Sequence, residues 1–522
     1  MPPKRKSSSE LDPNKEQPLQ PDVYTPLERQ EYDAESLLLP QPTSPMECFS
    51  YFFNLEIWEV LCNGTNSYHT SKYTTAGSSE RGWRPVTVRD MKIWIGLVIY
   101  MGIVDCPSIK DYWAEDTRQK PMDAMGLNRF EQIKRYIHIS LPITASAPPA
   151  PPAPPALPAP PAPPPAWYKK LEPMASMLAN RFRSAYMPSS NCSIDEMMVR
   201  FTGRSKHTLK MPNKPIDEGY KVFAICDHGY TYGFEFCSRV DGASGLIGHS
   251  PIPPPIPPPI GYSRNLTPTS TTCLRLALLL PYRKWHYSIY FDSFFSNTAL
   301  FATLQELGIG ACGTARKDQI PVELQQYDSA NSKIAEWGDL ASVLEDNVQC
   351  ARWQDNAGVF MMTTIHDVND CVVANRKRPK KKGNPAACEV SGTTVRKLLT
   401  IPLMINDFNY HMGGVDIADQ LRSYYYTQLP SSRSWLPLFY WLLDTTIVNS
   451  YILFRMYNPL ASHKKFRLEL AKALWSSVDS GGDHIHILVR EEAQRSCKAI
   501  GCTTRTRFIC TYCRYPYCIL CS

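Results

Sequence analysis

The chain has 522 residues, of which 43% are hydrophobic and 11% aromatic. This composition allows two to four domains and excludes a wholly disordered chain. The formal net charge of +7 permits a nucleic-acid partner without requiring one. The chain opens with basic residues but no apolar segment, so we expect no secretory signal and a reducing, intracellular setting.

The first part of the chain is predicted to be helical. Residues 1–44 are polar and rich in proline, and we predict a disordered arm. Apolar residues then recur at helical spacing over 45–146 and again over 167–190, which predicts one helical domain in two pieces. The proline-rich insertion 147–166 and a second tract at 251–260 should form polyproline II. Each tract is either a passive spacer or a ligand for a polyproline-binding partner.

The middle of the chain is predicted to be an α/β core. Residues 191–316 begin with short β-rich runs and continue with alternating helices and strands, a pattern typical of a sheet covered by helices. One strand ends at Asp292, and the helix that follows ends at Gly308. We predict an insertion domain over 317–400 and the last part of the core over 401–426.

The end of the chain combines a second helical part with a cysteine-rich tail. Helical spacing returns over 427–480. The stretch 435–456 is apolar enough for a membrane span, but Asp444 and Asn449 interrupt it and favour a buried core helix. We therefore expect no membrane partner. The tail, 484–522, holds six of the 17 cysteines.

Three aspartates occupy positions from which their side chains could converge. Asp195 lies in a predicted strand, Asp292 ends another strand, and Asp416 opens a helix three residues before Asp419. Clustered carboxylates prefer Mg²⁺ or Mn²⁺, and two such ions can stabilise both oxygens of a phosphoryl displacement. Other uses stay open. Asp195 could cap a turn, Asp292 could cap the next helix, and the acids of the later helix could simply meet its dipole.

The motifs around these acids resemble those of the piggyBac transposases and their domesticated relatives, from about Pro45 to the C-terminus. The matching blocks are SIDEMMVRFTGR (193–204), YFDSFFSNTALFATLQELGIGACGTARK (290–317) and INDFNYHMGGVDIADQLRSYY (405–425). The second block departs from the family pattern Asp-Asn-x-Phe-Thr-Ser, because Ser293 follows Asp292 and Asn297 ends the motif.

The resemblance implies an α/β fold with a ribonuclease-H-like catalytic core, flanked by a mostly helical DNA-binding and dimerisation domain. It implies that Asp195, Asp292 and Asp416 are catalytic ligands of Mg²⁺ or Mn²⁺, with Asp419 as an additional acid. The implied activity is cut-and-paste transposition of double-stranded DNA at TTAA sites, acting on terminal inverted repeats as a homodimer in the nucleus. The alternative is a domesticated, catalytically inactive nuclear DNA-binding or chromatin-associated protein.

Two basic segments are candidate DNA contacts. By the resemblance, Arg316 and Lys317 would contact phosphates. The run RKRPKKK (376–382) begins with Arg376, Lys377 and Arg378. This run is either a solvated nuclear-import signal or a direct contact to the DNA backbone.

The cysteine tail has the spacing of a zinc-binding module. Paired cysteines two residues apart are typical ligands of tetrahedral Zn²⁺. By the resemblance, one ion would be held by four cysteines and the other site would be incomplete. The four are Cys497, Cys502, Cys518 and Cys521, and the incomplete pair is Cys510 and Cys513. The Zn²⁺ would be structural, and the tail either binds the terminal repeats or is a truncated remnant.

Overall fold

The computed structural model describes most of the chain outside its proline-rich and terminal segments. The described residues are 24–73, 82–114, 120–140, 167–212, 214–240, 245–246, 265–331, 335–378, 385–476, 488–496 and 505–510. The proline-rich insertion 147–166 and the tract 251–260 therefore lie outside the described residues.

The first part of the chain is helical, as the apolar spacing predicts. Its helices are α1 (Pro45–Phe52), α2 (Leu55–Tyr73), α3 (Val88–Met101), α4 (Leu127–Tyr136) and α5 (Met174–Ser184). Helix α3 starts at a capping box, in which the Thr87 hydroxyl accepts a hydrogen bond from the Asp90 amide and the Asp90 carboxylate accepts one from the Thr87 amide. These helices share one hydrophobic core with the sheet that follows.

A mixed sheet forms the centre of the molecule. Its strands are β3 (Asn191–Arg200), β4 (Leu209–Lys210), β5 (Glu218–Asp227), β6 (Tyr230–Cys237), β7 (Gly245–Leu246), β8 (Tyr287–Phe291), β9 (Ile309–Thr314), β10 (Leu340–Glu345), β11 (Val348–Gln354) and β12 (Gly358–Thr363). The order across the sheet is β10-β11-β12-β9-β8-β3-β5-β6-β7, and β4 pairs with β5. Strands β3, β8 and β9 are mutually parallel, whereas β5 and β6 run antiparallel to their neighbours.

Helices connect and cover the strands. They are α6 (Pro268–Ala277), α7 (Thr298–Glu306), α8 (Val322–Asn331), α9 (Pro385–Ser391), α10 (Leu403–His411), α11 (Gly414–Ser423), α12 (Leu436–Tyr457) and α13 (His463–Ser476). Helix α7 ends before Gly308, whose φ of 75° is the left-handed conformation in which glycine usually stops a helix.

The predicted insertion domain, 317–400, is only partly separate from the core. Strand β12 pairs with β9, and β10 and β11 continue the same sheet outward. The prediction of a distinct domain is therefore wrong for these strands, because short apolar runs do not reveal which sheet they join. Within the described residues of this segment, the separate part is an antiparallel ribbon of β13 (Cys371–Lys377) and β14 (Arg396–Pro402), with α9 between the two strands.

Helix α12 is buried, as its interrupting polar residues predict. Asn449 forms two 2.9 Å hydrogen bonds, one from the backbone amide of Thr231 and one to its carbonyl, which fix α12 against β6. Asp444 lies 3.3 Å from the guanidinium of Arg467, and both side chains are buried. Across the part of the chain that the structure describes, no helix combines the length and apolar character that a membrane crossing requires.

Part of the predicted N-terminal arm is ordered, which corrects the expectation of disorder through residue 44. Strand β1 (Glu35–Ser36) pairs with β2 (Tyr186–Met187), and Leu38 is buried. Upstream, the Arg29 guanidinium lies 2.8 Å from Asp407. The polar composition does not reveal this order, because contacts such as the pair of Arg29 and Asp407 join residues far apart in the chain. Residues 1–23 lie outside the described part.

Near the C-terminus, β15 (Leu488–Ser496) and β16 (Arg505–Cys510) form an antiparallel pair. The predicted zinc ligands Cys497, Cys502, Cys513, Cys518 and Cys521 lie outside the described residues, and of Cys510 only the backbone is described.

Candidate active site

The sheet brings Asp195 and Asp292 to neighbouring positions. Strands β3 and β8 are parallel, with Ser193 opposite Tyr290 and Ile194 opposite Phe291. One step further along each strand come the two aspartates. Because adjacent strands lie about 4.8 Å apart, these carboxylates emerge next to each other at one edge of the sheet. The prediction that Asp292 follows the end of a strand is confirmed.

Helix α11 covers the face of the sheet to which the side chain of Ser193 points. Its start rests on Ser193, whose hydroxyl accepts a 3.2 Å hydrogen bond from the Val415 amide. Asp195, two residues beyond Ser193, therefore points to the side on which α11 lies. A Cβ atom at Gly414 would fall 2.6 Å from the Ser193 hydroxyl oxygen, so only glycine permits this approach. At Gly413 the same atom would meet nothing within 4 Å.

A second anchor fixes the direction of α11 along β3. The buried Arg422 guanidinium donates a 3.1 Å hydrogen bond to the carbonyl of Met198 and pairs with Asp419 at 2.5 Å. With its start over Ser193 and its end beside Met198, α11 runs along β3. Asp416 and Asp419 lie on the part of α11 between these two anchors.

The electrostatics of Asp195 are those of a carboxylate in a crowded, desolvated position. Asp195 is 7% exposed. Burial, followed by the nearby charges of Glu196 and Asp292, raises its pKa to about 8, although a hydrogen bond from the Glu196 amide opposes the shift. Such a shift means that the nearby positive charge of Lys214, which lowers the pKa, does not fully compensate the ionised form.

Asp292 shares this environment. Burial is the main cause that raises its pKa, and the charge of Glu196 adds to it, while hydrogen bonding from the amide of Phe294 at 2.8 Å works in the opposite direction. Asp292 does not cap α7, so that alternative is wrong. Asn297 caps the helix through a 2.9 Å hydrogen bond from Leu300. The departure at the end of the motif therefore keeps a good helix-capping residue.

Sequence reasoning missed a lysine and a glutamate beside the aspartates. The side chain of Glu196 is buried, and its carboxylate lies 3.0 Å from Lys214 and 3.6 Å from Lys221. Burial lowers the pKa of Lys214, but the hydrogen bond and charge of Glu196 and the charges of Asp195 and Asp292 outweigh it and raise that pKa. The quoted motif contains Glu196, but residue types alone do not show that Lys214, 19 positions after Asp195, returns to this edge of the sheet.

The chemistry of the acids suits a hard divalent cation. Carboxylate oxygens are the ligands that Mg²⁺ and Mn²⁺ prefer. The raised pKa values of Asp195 and Asp292 indicate that a cation would stabilise their ionised forms. Asp416 lies in the first turn of α11, and its side chain is exposed. Over the described ranges, no three His, Cys, Asp or Glu side chains are already gathered closely enough to hold a metal ion.

The predicted DNA-contacting residues differ in their surroundings. Arg316 is exposed and lies over the ring of Phe294, 5.5 Å from its centre, and Phe294 is two residues after Asp292. Lys317 pairs with Asp328 at 2.6 Å. Arg376 pairs with Asp355 at 2.6 Å. Of these three side chains, Arg316 alone has no carboxylate partner among the described residues.

Comparison with known proteins establishes the family. The family described as Transposase IS4, which is of the piggyBac type, matches residues 44–451. This chain belongs to that family. The match spans more than half of the chain and includes all four aspartates, so the resemblance to piggyBac transposases is confirmed.

Relatives and a solved structure agree with this assignment. The chain is 24% identical over 507 residues to human PiggyBac transposable element-derived protein 3, a match that covers 92% of this chain and 75% of the relative. It is 20% identical over 461 residues to human PiggyBac transposable element-derived protein 5, covering 85% and 78%. The cryo-EM structure of the piggyBac transposase synaptic complex with hairpin DNA superposes with a TM-score of 0.63 at 18% identity, covering 86% of this chain and 83% of that one. The mixed α/β architecture is therefore that of the piggyBac transposase.

Proposed function

We propose that this protein is a DDD-type DNA transposase that cleaves and transfers DNA strands with the help of Mg²⁺ or Mn²⁺. The observation that carries the proposal is the meeting of Asp195 and Asp292 on parallel strands beneath the start of α11, the helix of Asp416. The family assignment supports a DNA substrate, and the similar piggyBac complex contains hairpin DNA.

The order of the central strands supports a ribonuclease-H-like core. In the sequence β6-β5-β3-β8-β9, an antiparallel meander is followed by two parallel strands. Such a sheet delivers acidic side chains from the ends of adjacent strands to one edge. The mechanism that follows from the family needs this edge to be rigid, because phosphoryl transfer depends mainly on positioning and charge stabilisation.

Asp195, Asp292 and Asp416 would hold the cations, which supply a polarised water or hydroxyl nucleophile and stabilise the leaving oxygen. Asp419 would act by fixing α11, since its carboxylate orients Arg422 against the Met198 carbonyl. Lys214 would favour the ionised aspartates through its positive charge. Arg316, exposed over the ring of Phe294, would contact a DNA phosphate.

Several finer features of the proposal rest on the resemblance or on spacing. They are cleavage at TTAA within terminal inverted repeats, a homodimer, nuclear localisation and structural Zn²⁺ in the cysteine tail. The spacing of Cys510 and Cys513, and of Cys518 and Cys521, supports Zn²⁺.

Nicking of supercoiled plasmid DNA that contains TTAA sites tests the proposal. We expect the purified protein to nick it in Mn²⁺ and not in EDTA. Asp292→Asn and Asp416→Ala should each slow nicking by at least about 100-fold, the scale of losing a group that stabilises charge in the transition state. Asp318→Asn, which neutralises an exposed aspartate, is the matched control. Equal nicking by Asp292→Asn and the unmodified protein would refute the assignment.

A second function is supported by a specific departure. Ser293 replaces the family's asparagine beside Asp292, and the human relatives carry the name of element-derived proteins. A domesticated DNA-binding protein without catalysis would bind the same plasmid but leave it supercoiled in Mn²⁺. That result would favour this alternative over the transposase.

A further inference from the structure

The β13–β14 ribbon carries positive charge at its free end. Seven cross-strand pairs run from Cys371 and Pro402 at the base to Lys377 and Arg396 at the tip. The base leads directly into α10 and then α11, so the ribbon is attached to elements of the candidate active site. Six residue steps of about 3.4 Å each place the tip roughly 20 Å from the base.

The pairing in this ribbon sets like charges opposite each other. Arg376 faces Lys397, Lys377 faces Arg396, and Arg378 follows at the end of β13. Neither strand contains an Asp or Glu residue. Like charges directly opposite in an antiparallel pair weaken it. The arrangement therefore does not help the ribbon to fold, and it suits an anionic partner.

Within the described residues, two of these five charges have a partner in the fold. Arg376 pairs with Asp355 at 2.6 Å and lies over the ring of Trp353. The Lys397 ammonium donates a 2.8 Å hydrogen bond to the carbonyl of Val390. The other three, Lys377, Arg378 and Arg396, are exposed, and among the residues that the structure describes no carboxylate pairs with them.

We propose that Lys377, Arg378 and Arg396 form a second DNA contact, which binds backbone phosphates of the duplex away from the site of cleavage. The proposal rests on the proposed function, since it takes DNA as the substrate. Three exposed cations on a narrow ribbon match the regular negative charge of a duplex, and a two-stranded ribbon is slim enough to follow a DNA groove. A contact made only to phosphates holds the substrate without reading its sequence.

Salt-dependent DNA binding by the full-length protein tests this contact. The probe is a fluorescently labelled duplex of arbitrary sequence, and affinity is measured by anisotropy over a series of salt concentrations. The Lys377→Gln/Arg396→Gln variant should bind more weakly, and its plot of log affinity against log salt should be less steep by about 2, because two phosphate contacts are lost. The loss should be the same for duplexes of unrelated sequence.

Two further variants make the test specific. Lys377→Arg/Arg396→Lys keeps both charges and should restore the original slope. Arg283→Gln/Lys284→Gln removes two exposed charges just before β8, at the opposite end of that strand from Asp292, and should leave the slope unchanged. Thermal unfolding of each variant checks that the fold is intact.

An unchanged slope and affinity for Lys377→Gln/Arg396→Gln would overturn the proposal, as would an equal loss in the Arg283→Gln/Lys284→Gln control. Unchanged DNA binding with lost nuclear accumulation would assign these residues to an import receptor instead. A failure of the proposed function gives a different result from a failure of the ribbon proposal. Asp292→Asn should bind DNA with the original slope even though it does not nick. If the protein nicks plasmid but Lys377→Gln/Arg396→Gln binds DNA as tightly as the unmodified protein, only the proposed ribbon contact is refuted.

Discussion

At the scale of single residues, the candidate site is defined by unfavourable charge. Asp195 and Asp292 lie side by side, and Glu196 adds a third negative charge close to both. Lys214 and Lys221 offset part of it at 3.0 and 3.6 Å from Glu196. A protein that keeps buried carboxylates together loses stability by doing so, and such sites are commonly functional.

Replacing Asp195 by asparagine should stabilise the metal-free protein at high pH. The pKa of Asp195 is raised to about 8 in the folded protein, so ionisation opposes folding progressively as the pH rises from about 4, its unfolded pKa, through about 8. The asparagine side chain does not ionise. In EDTA, we expect Asp195→Asn to match the unmodified protein near pH 4 and to exceed its free energy of unfolding by a few kcal/mol near pH 9.

Chemical denaturation at the two pH values measures this difference, and Asp318→Asn, at an exposed position, is the control. A stability gain that is equal at both pH values would contradict the charged environment described for Asp195. Saturating Mn²⁺ should reverse the order at high pH, because only the aspartate gains a bound cation.

At the scale of elements, the close approach of α11 to β3 determines where the acids lie. Two successive glycines precede Asp416, but they have different roles. Gly414 rests against Ser193 and the carbonyl of Cys226, whereas Gly413 has open space where a side chain would be. The sequence alone shows two glycines before a helix. Only the packing shows that the second one sets the height of α11 above the sheet.

Gly414→Ala should therefore move α11, and Gly413→Ala should not. The added methyl at position 414 must displace the Ser193 hydroxyl or the helix, an overpacking that typically costs about 1–3 kcal/mol. The higher helix propensity of alanine offsets up to about 1 kcal/mol of this. We expect Gly414→Ala to lower stability and to reduce Mn²⁺-dependent nicking, as measured by thermal unfolding and plasmid cleavage.

The matched control, Gly413→Ala, adds the same methyl in open space and should keep nicking close to that of the unmodified protein. If both variants behave alike in nicking and stability, the close contact between α11 and β3 does not position the acids.

At the scale of the whole molecule, the sequence predicted the elements better than their assembly. The strand before Asp292, the helix after it and the buried helix α12 were all visible in local patterns. By contrast, β10, β11 and β12 join the central sheet, and residues 24–44 pack along the core. Neither feature has a local signal, since strand pairing and ion pairs such as Arg29 with Asp407 join residues far apart in the chain.

The same distinction applies to the site. Asp195, Asp292, Asp416 and Asp419 were predicted from motifs, and the fold places the first two on neighbouring strands beneath α11, the helix that carries the other two. The residues that tune this site, Lys214, Glu196 and Arg422, were not selected as candidates, because their relevance depends on contacts that no spacing reveals. A lysine between two prolines, as Lys214 is between Pro212 and Pro215, is usually solvated. Only its 3.0 Å approach to Glu196 connects it to the acids.

The most direct measurement is the position of Mn²⁺ in crystals of the protein soaked with that ion, found from its anomalous scattering. The account predicts Mn²⁺ at about 2.1 Å from carboxylate oxygens of Asp195 and Asp292, with Asp416 turned in to complete the coordination. It also predicts that this peak disappears in crystals of Asp292→Asn. Manganese bound only elsewhere, with no peak between Asp195 and Asp292, would contradict the account.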